Sequence, residues 1–193
     1  NQENLIIVVP NGTLGSANSR GWNDCRGDNV TNPTVDDVQF TISLLDFIQE
    51  KYSSDSLRVF AVGTSNGGHF AIRLAQEIPD RITAFASVLA ANAYNSECSN
   101  ATTKVSALFM NGTSDPIMPY DGGQMAFDRG EVCSTDSTIA YWVQRNATDL
   151  SPETTEMPDL NTDDNSTVTK YLYKNGGNGT EVALYKVING GHT

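Results

Sequence analysis

Residues 57–75 read LRVFAVGTSNGGHFAIRLA, and this stretch decides the fold. Within it, an apolar run leads into Gly-Thr-Ser-Asn-Gly, and a helix-like run follows. A strand, a Gly-x-Ser-x-Gly turn and a helix in this order are typical of a nucleophile elbow, a strained turn that lifts a serine hydroxyl clear of a sheet. The pattern therefore predicts Ser65 as a nucleophile.

The residues around Ser65 suit this turn. We expect a side chain at Gly63 or at Gly67 to crowd the serine, which explains a glycine at both positions. The turn also aims the first amides of the following helix at the serine, where an oxyanion can form. The N–H of Asn66 is the predicted oxyanion donor.

A serine nucleophile needs a base, and the chain contains only two histidines, His69 and His192. His69 lies four residues past Ser65 in the predicted helix, so we expect it to pack or to cap. His192 lies in a glycine-flanked loop after the strand-like run 182–188. A histidine in such a loop suits acyl transfer, so we predict His192 as the base. Taken alone, it could equally be a plain surface histidine.

The acid should lie between the serine and the histidine, in the order that α/β-hydrolases use. Asp115 follows the apolar run 105–110, and open α/β sheets place functional groups just past the ends of their strands. The alternative is a turn aspartate beside Pro116. Asp121 and Asp128 are rival acids, and we rank them lower because they lie further from the strand end.

Three sequence blocks together resemble one protein family. They are GTSNGG at residues 63–68, NGTSDPIMPYDGG at 111–123 and GGHT at 190–193, and residues 8–12, 21–23 and 35–38 agree with them. The family contains secreted polyhydroxybutyrate depolymerases, feruloyl esterases and acetyl-xylan esterases on the α/β-hydrolase fold. The similarity follows the family's order over nearly the whole chain.

The resemblance implies ester hydrolysis through an acyl-enzyme, with Ser65 as nucleophile, Asp115 as acid and His192 as base. It implies a secreted enzyme that acts on feruloyl or acetyl esters of plant polysaccharide or on polyhydroxyalkanoate polyesters. It also places Trp22 near the site as a candidate substrate contact; the alternative is an anchor for a long loop. Two other functions stay open, a catalytically inactive hydrolase-fold binding protein and an α/β-hydrolase peptidase.

The chain departs from the family at both ends. The family's earlier strands, with a His-Gly segment that supplies part of the oxyanion hole, have no counterpart, and the sequence stops one residue after His192. We therefore expect a fragment that lacks its N-terminal strands and its C-terminal end. The second oxyanion donor is expected from the N-terminal segment.

Periodicity predicts an α/β protein. Strands are predicted at 4–9, 57–62, 82–90, 105–110, 167–173 and 181–188, helices at 35–52, 66–77 and 134–146, and loops at 11–33 and 148–166. Strands that alternate with helices favour a mostly parallel sheet with helices on both faces. The last two strands flank Asn-Gly-Gly-Asn-Gly, a hairpin signal. We predict one catalytic domain over 1–193.

The composition of the chain argues against some classes of binding partner. The formal net charge is −11, from 12 basic and 23 acidic residues, which disfavours nucleic acid and anionic membranes. No run of about 18 apolar residues is present, so no membrane span is expected. The predicted chemistry needs no metal or organic cofactor. The oligomeric state stays open.

The cysteines leave their pairing open. Cys25, Cys98 and Cys133 could form one disulfide in three ways or stay reduced. A D-x-N-x-D start at 159–163 resembles a calcium loop, but it lacks the glycine and the final glutamate of an EF-hand.

Overall fold

A computed structural model describes residues 5–15, 18–99 and 101–192. In these ranges the helices are α1 (Asp37–Tyr52), α2 (Asn66–Glu77) and α3 (Thr135–Asn146), and 3-10 turns lie at Pro79–Arg81, Ala126–Asp128, Thr162–Asp164 and Gly177–Gly179. The strands are β1 (Thr13–Leu14), β2 (Arg20–Gly21), β3 (Phe60–Thr64), β4 (Ala84–Val88), β5 (Ser106–Gly112), β6 (Gly123–Gln124), β7 (Glu131–Val132), β8 (Glu153–Glu156), β9 (Thr167–Tyr173) and β10 (Val182–Ile188). None of the helices in these ranges is long and apolar enough to cross a bilayer.

Six strands form the central sheet in the order β3-β4-β5-β10-β9-β8. The pairs β3–β4, β4–β5 and β5–β10 are parallel, whereas β9 is antiparallel to both β10 and β8. Strand β9 therefore runs against the other five. This confirms a mostly parallel sheet and the antiparallel final pair that the glycine-rich signal predicted. Strands β3, β5 and β10 consequently end at one edge.

Local sequence explains where the helices begin. Asp36 caps α1, and its side chain accepts a hydrogen bond from the Gln39 N–H at 2.8 Å. Ser134 caps α3 in the same way and accepts from the Ser137 N–H at 3.0 Å. Helix α2 instead starts directly from the β3 turn and has no side-chain cap. The predicted bounds of α2 are confirmed, and those of α1 and α3 differ by at most two residues.

The core lies where the helices meet the middle of the sheet. Trp142 of α3 is fully buried, and its ring lies 4.7 Å from that of Phe85 on β4. Phe85 in turn meets Phe109 of β5 edge-on at 5.5 Å. Ile72 of α2 belongs to the same buried cluster. This packing holds the central strands β4 and β5 in place.

The strand predicted at residues 4–9 is wrong. Residue 4 lies outside the described ranges, and residues 5–10 form no strand. The side chains of Leu5, Ile7 and Val9 are 70%, 76% and 84% exposed. An apolar run favours burial, but a strand also needs a neighbour for its backbone hydrogen bonds, and among the described residues this run has none.

The predicted loop 11–33 contains the short strands β1 and β2, which pair with each other. Two further predictions also needed correction. The strand before Ser65 covers Phe60–Thr64 rather than 57–62, because its pairing with β4 extends to the turn. The predicted loop 148–166 contains β8, which pairs with β9. All four β8 side chains are exposed, so the segment Glu-Thr-Thr-Glu carries no apolar alternation that could reveal it. Charged side chains of this kind are common on edge strands.

A disulfide joins Cys25 and Cys98, which are 73 residues apart in sequence. Cys133 is unpaired, and burial raises the pKa of its thiol. The bond ties the loop after β2 to the segment that follows β4. Neighbouring backbone bonds reinforce this tie, since the Gly27 N–H donates to the Asn95 carbonyl at 3.1 Å and the Glu97 N–H to that of Cys25 at 2.9 Å.

Cys98→Ser is expected to lower the free energy of unfolding by about 2–5 kcal/mol, because the disulfide restricts the unfolded chain. Cys133→Ser is the matched control and should change it far less, since Cys133 closes no loop. Urea unfolding under non-reducing conditions measures both. Equal losses in the two variants would contradict this role.

Candidate active site

Ser65 occupies a strained turn between β3 and α2. Its backbone angles are φ 52° and ψ −121°, a region that non-glycine residues rarely adopt. The Ser65 N–H donates to the Val88 carbonyl at 2.8 Å, which fixes the turn to the end of β4. This is the geometry that the Gly-x-Ser-x-Gly pattern predicts.

The two glycines of the motif differ in their surroundings. A Cβ at Gly63 would collide with the backbone carbonyl of Gly67, so β3 and α2 approach each other too closely for any side chain there. A Cβ at Gly67 would meet nothing within 4 Å. A side chain at Gly63 would thus be crowded by the Gly67 backbone rather than by Ser65, and the expectation of crowding is wrong at Gly67, because the start of α2 faces open space.

His192 lies between Ser65 and Asp115. Its Nε2 is 2.9 Å from the Ser65 Oγ, and its Nδ1 is 2.7 Å from the Asp115 Oδ2. In the tautomer whose Nδ1–H donates to Asp115, Nε2 accepts the Ser65 hydroxyl proton. The structure thus brings together the three residues that the sequence predicted as nucleophile, base and acid.

Asp115 is held rigidly by its own turn. Its side chain is fully buried, and the Oδ1 that faces away from His192 accepts the Ile117 and Met118 N–H groups at 2.8 and 2.9 Å. Both carboxyl oxygens therefore have partners. The rivals Asp121 and Asp128 are exposed. Asp115 is the carboxyl group that meets the His192 ring.

Parallel pairing of β5 and β10 brings Asp115 and His192 together. The Thr113 N–H donates to the Val187 carbonyl and the Ser114 N–H to the Gly190 carbonyl, both at 2.9 Å. A Cβ at Gly112 would collide with the Gly190 carbonyl, so glycine permits this close approach. The loops after β5 and β10 are thereby joined along their backbones.

His69 is a buried residue, as its place in the helix suggested. Its Nδ1 lies 2.9 Å from the Ala91 carbonyl. Burial, reinforced by the positive charge of Arg26, lowers its pKa to about 3. The imidazole is therefore neutral near pH 7 and donates its Nδ1–H to Ala91.

Asn66 begins α2 directly after the serine. The N–H groups of a helix's first turn lack acceptors within the helix and can bind an anion. The Asn66 N–H therefore has the location that an oxyanion donor requires. Its role as that donor stays a prediction.

Trp22 packs as an aromatic anchor. Its ring stacks on Phe70 at 5.0 Å with an interplanar angle of 8°, and Phe40 lies 6.4 Å away. Its backbone N–H donates to the Asn66 Oδ1 at 2.7 Å. These contacts fix the loop after β2 against α1 and α2. A contact between Trp22 and substrate stays a prediction.

A buried polar cluster beside the Ser65 turn was not predicted from the sequence. Asp24 and Arg26 are 2% and 3% exposed, and Asn32 and Asn66 both donate to Asp24. Burial opposes the ionisation of Asp24, but the hydrogen bonds and charge of Arg26 outweigh it and hold the Asp24 pKa below its usual value. A charged pair in a polar loop carries no sequence signal of burial, so the pattern could not reveal it.

No group of three or more His, Cys, Asp or Glu side chains in the described ranges could hold a metal ion. What the side chains do form is a hydrogen-bonded serine, histidine and carboxylate beside a helix N-terminus. Such an arrangement can activate the hydroxyl for attack on a carbonyl carbon and stabilise the resulting oxyanion.

Comparison with known proteins places the chain among esterases. A family model described as "Putative esterase" matches residues 2–182. Feruloyl esterase B of Piromyces equi is 27% identical over 198 residues, covering 98% of this chain and 34% of that protein. The bifunctional acetylxylan esterase/xylanase of Neocallimastix patriciarum is 28% identical over 118 residues, covering 61% of this chain and 16% of that protein. The chain thus spans about a third or less of these relatives' lengths.

A solved structure has a similar fold. The acetyl xylan esterase from Aspergillus awamori matches with a TM-score of 0.53 and 14% sequence identity. The match covers 90% of this chain and 68% of that chain. At this identity the likeness concerns the arrangement of helices and strands alone.

Gly63→Ala is expected to lower the free energy of unfolding by about 1–3 kcal/mol or more, because the new Cβ forces β3 and α2 apart. Gly67→Ala is the matched control. It adds a methyl group in open space within a helix, where alanine is favoured by up to about 1 kcal/mol. Chemical denaturation of both variants gives the comparison. A Gly63→Ala variant as stable as the parent would contradict the close contact.

Proposed function

The chain belongs to the esterase family, and on that premise we propose that it is a serine carboxylic-ester hydrolase on the α/β-hydrolase fold, with helices on both faces of the sheet. The observation that carries the proposal is the continuous hydrogen-bonded chain from Ser65 Oγ through His192 to the buried Asp115. A nucleophile, a base and a group that orients the base are what acyl transfer requires.

In the proposed reaction, the Ser65 oxygen attacks the ester carbonyl carbon while His192 Nε2 takes the hydroxyl proton. Asp115 holds the imidazole in position and stabilises its charged form. The carbonyl oxygen becomes an oxyanion, and the Asn66 N–H donates to it. His192 then gives the proton to the departing alcohol, which leaves an acyl group on Ser65. Water then attacks the acyl carbon while His192 takes one of its protons. The bond between the acyl carbon and the Ser65 oxygen breaks, His192 returns the proton to that oxygen, and the carboxylic acid leaves.

The names of the relatives support acetyl or feruloyl esters of polysaccharide as substrates. Polyhydroxyalkanoate-type polyesters are the second substrate class that this site could serve. The Cys25–Cys98 disulfide supports secretion, since such bonds persist in oxidising compartments. The net charge of −11 supports neutral ester substrates over nucleic acid or anionic membranes as partners.

Ser65→Ala is expected to lower kcat for p-nitrophenyl acetate by at least about 10³-fold, since the hydroxyl forms the covalent intermediate. Ser114→Ala is the matched control. It removes an exposed hydroxyl beside Asp115, and the Ser114 backbone bond to Gly190 remains. Its kcat should stay close to that of the parent. Full activity in Ser65→Ala would overturn the proposed mechanism.

Substrate class is tested on the active parent protein. Methyl ferulate, an acetylated xylan fragment and a hydroxybutyrate oligomer are compared by kcat/KM, with an amide analogue alongside. Turnover of the polysaccharide-type esters supports the proposal, and a preference for the oligomer favours a polyester depolymerase. Amide cleavage would favour a peptidase, and no turnover of any substrate would favour an inactive binding protein.

A further inference from the structure

A buried ion pair lies beside the Ser65 turn and takes no part in the proposed reaction. The Arg26 guanidinium donates two hydrogen bonds to the Asp24 carboxylate, from Nε to Oδ1 at 3.0 Å and from Nη2 to Oδ2 at 2.6 Å. The two side chains are 2% and 0% exposed. Removing both charges from water is costly, and such a pair is often no more stabilising than apolar packing would be.

Asp24 binds the residue that follows the nucleophile. The Asn66 Nδ2 donates to the Asp24 Oδ2 at 2.8 Å and to the Trp22 carbonyl at 3.0 Å. The Asn66 Oδ1 accepts the Trp22 N–H at 2.7 Å. The carboxamide is thus held at three points, and both of its amide hydrogens are used. Since the side chain cannot turn, the Cα and backbone N–H of Asn66 are fixed as well.

Asp24 is itself fixed from several directions. Its Oδ1 accepts the Arg26 backbone N–H and the Asn32 Nδ2, both at 3.0 Å. Arg26 reaches on to the Arg129 carbonyl, to which Nη1 donates at 2.8 Å. Cys25, between the two charged residues, carries the disulfide to Cys98. We call the hydrogen bonds that Asp24 and Trp22 make with the Asn66 carboxamide the clamp. Through Arg26 and Cys25 it is joined to the segments that contain Arg129 and Cys98.

We propose that Asp24 is a positioning residue that acts through the Asn66 carboxamide to aim the Asn66 backbone N–H at the oxyanion. The inference rests on the proposed esterase function and extends it to Asp24, which is not among the residues of the proposed reaction. When the hydrogen bonds of the clamp are lost, the Asn66 backbone N–H remains, but it is less well oriented toward the oxyanion. Because the oxyanion contact strengthens only in the transition state, loosening it should lower kcat and leave KM unchanged.

Asn66→Ala tests the clamp while keeping the backbone N–H. Its kcat per active site is expected to fall about 10- to 100-fold, as a misplaced group would cause; complete loss of an oxyanion donor costs about 100- to 1000-fold, and here the N–H remains. Asn66→Asp keeps the acceptor for Trp22 but sets a carboxyl oxygen against Asp24, so its kcat should fall at least as far. Asp24→Asn removes the charge that holds Asn66 and should give the same pattern of lower kcat and unchanged KM.

Asn23→Ala is the matched control. It removes a bond of the same loop, from the Asn23 Nδ2 to the Val35 carbonyl at 2.9 Å, without touching Asn66. Active sites are counted by titration with a fluorophosphonate, so a variant that merely folds less well loses sites and keeps its kcat per site. Inhibition by a trifluoromethyl ketone, which forms an oxyanion on the serine, should weaken with kcat in the clamp variants and stay unchanged in Asn23→Ala.

The outcomes distinguish failure of the positioning role from failure of the proposed esterase function. If Asn66→Ala keeps the parental kcat per site and the parental ketone affinity, the positioning role is overturned while the esterase function stands. If the parent protein and Ser65→Ala hydrolyse esters equally poorly, the proposed function fails and the positioning role fails with it. Should Asp24→Asn not fold, Asn66→Ala still decides, because Asn66 is only half-buried and carries no charge.

Discussion

The close approach of β3 and α2 at Gly63 is the contact on which the rest of the site depends. The carbonyl of Gly67 occupies the space that a side chain at position 63 would need. The chain therefore turns within a few residues, and Ser65 adopts a strained backbone conformation with a positive φ. One backbone contact thus sets both the direction of the serine hydroxyl and the start of the helix whose first amide lies beside it.

Parallel strands supply the other half of the site. Because β5 and β10 are neighbours and run in the same direction, their ends carry Asp115 and His192 to the edge where β3 delivers Ser65. The backbone hydrogen bonds between the two loops then fix the distance between Asp115 and His192. Residues that are 127 positions apart in sequence, Ser65 and His192, meet at hydrogen-bond distance for this reason.

A third segment, the loop after β2, packs against the residues that follow Ser65. It stacks Trp22 on Phe70 of α2 and offers Asp24 to the Asn66 carboxamide. This loop has little regular structure of its own, so its conformation depends on the disulfide and on the buried Asp24–Arg26 pair. Asn66, the residue after Ser65, is thereby held by Trp22 and Asp24.

The sequence predicted those parts of the molecule that local pattern controls. The Gly-x-Ser-x-Gly turn, the bounds of α2 and β9 and the choice of Asp115 over Asp121 follow from spacing, turn residues and strand ends. The exposed run at residues 5–9 and the charged strand β8 were misjudged, because strand pairing depends on distant neighbours. The burial of Asp24 was hidden for the same reason, since its partners come from separate segments of the chain.

The central claim is that Ser65 is an activated nucleophile. The most direct measurement is the intact mass of the protein after treatment with a fluorophosphonate, followed by peptide mapping of the adduct and repeated on a His192→Ala variant. We expect one adduct per chain, located on Ser65, and its loss when His192 is replaced. A folded protein that takes no adduct, takes it on another serine, or reacts equally fast without His192 would contradict the claim.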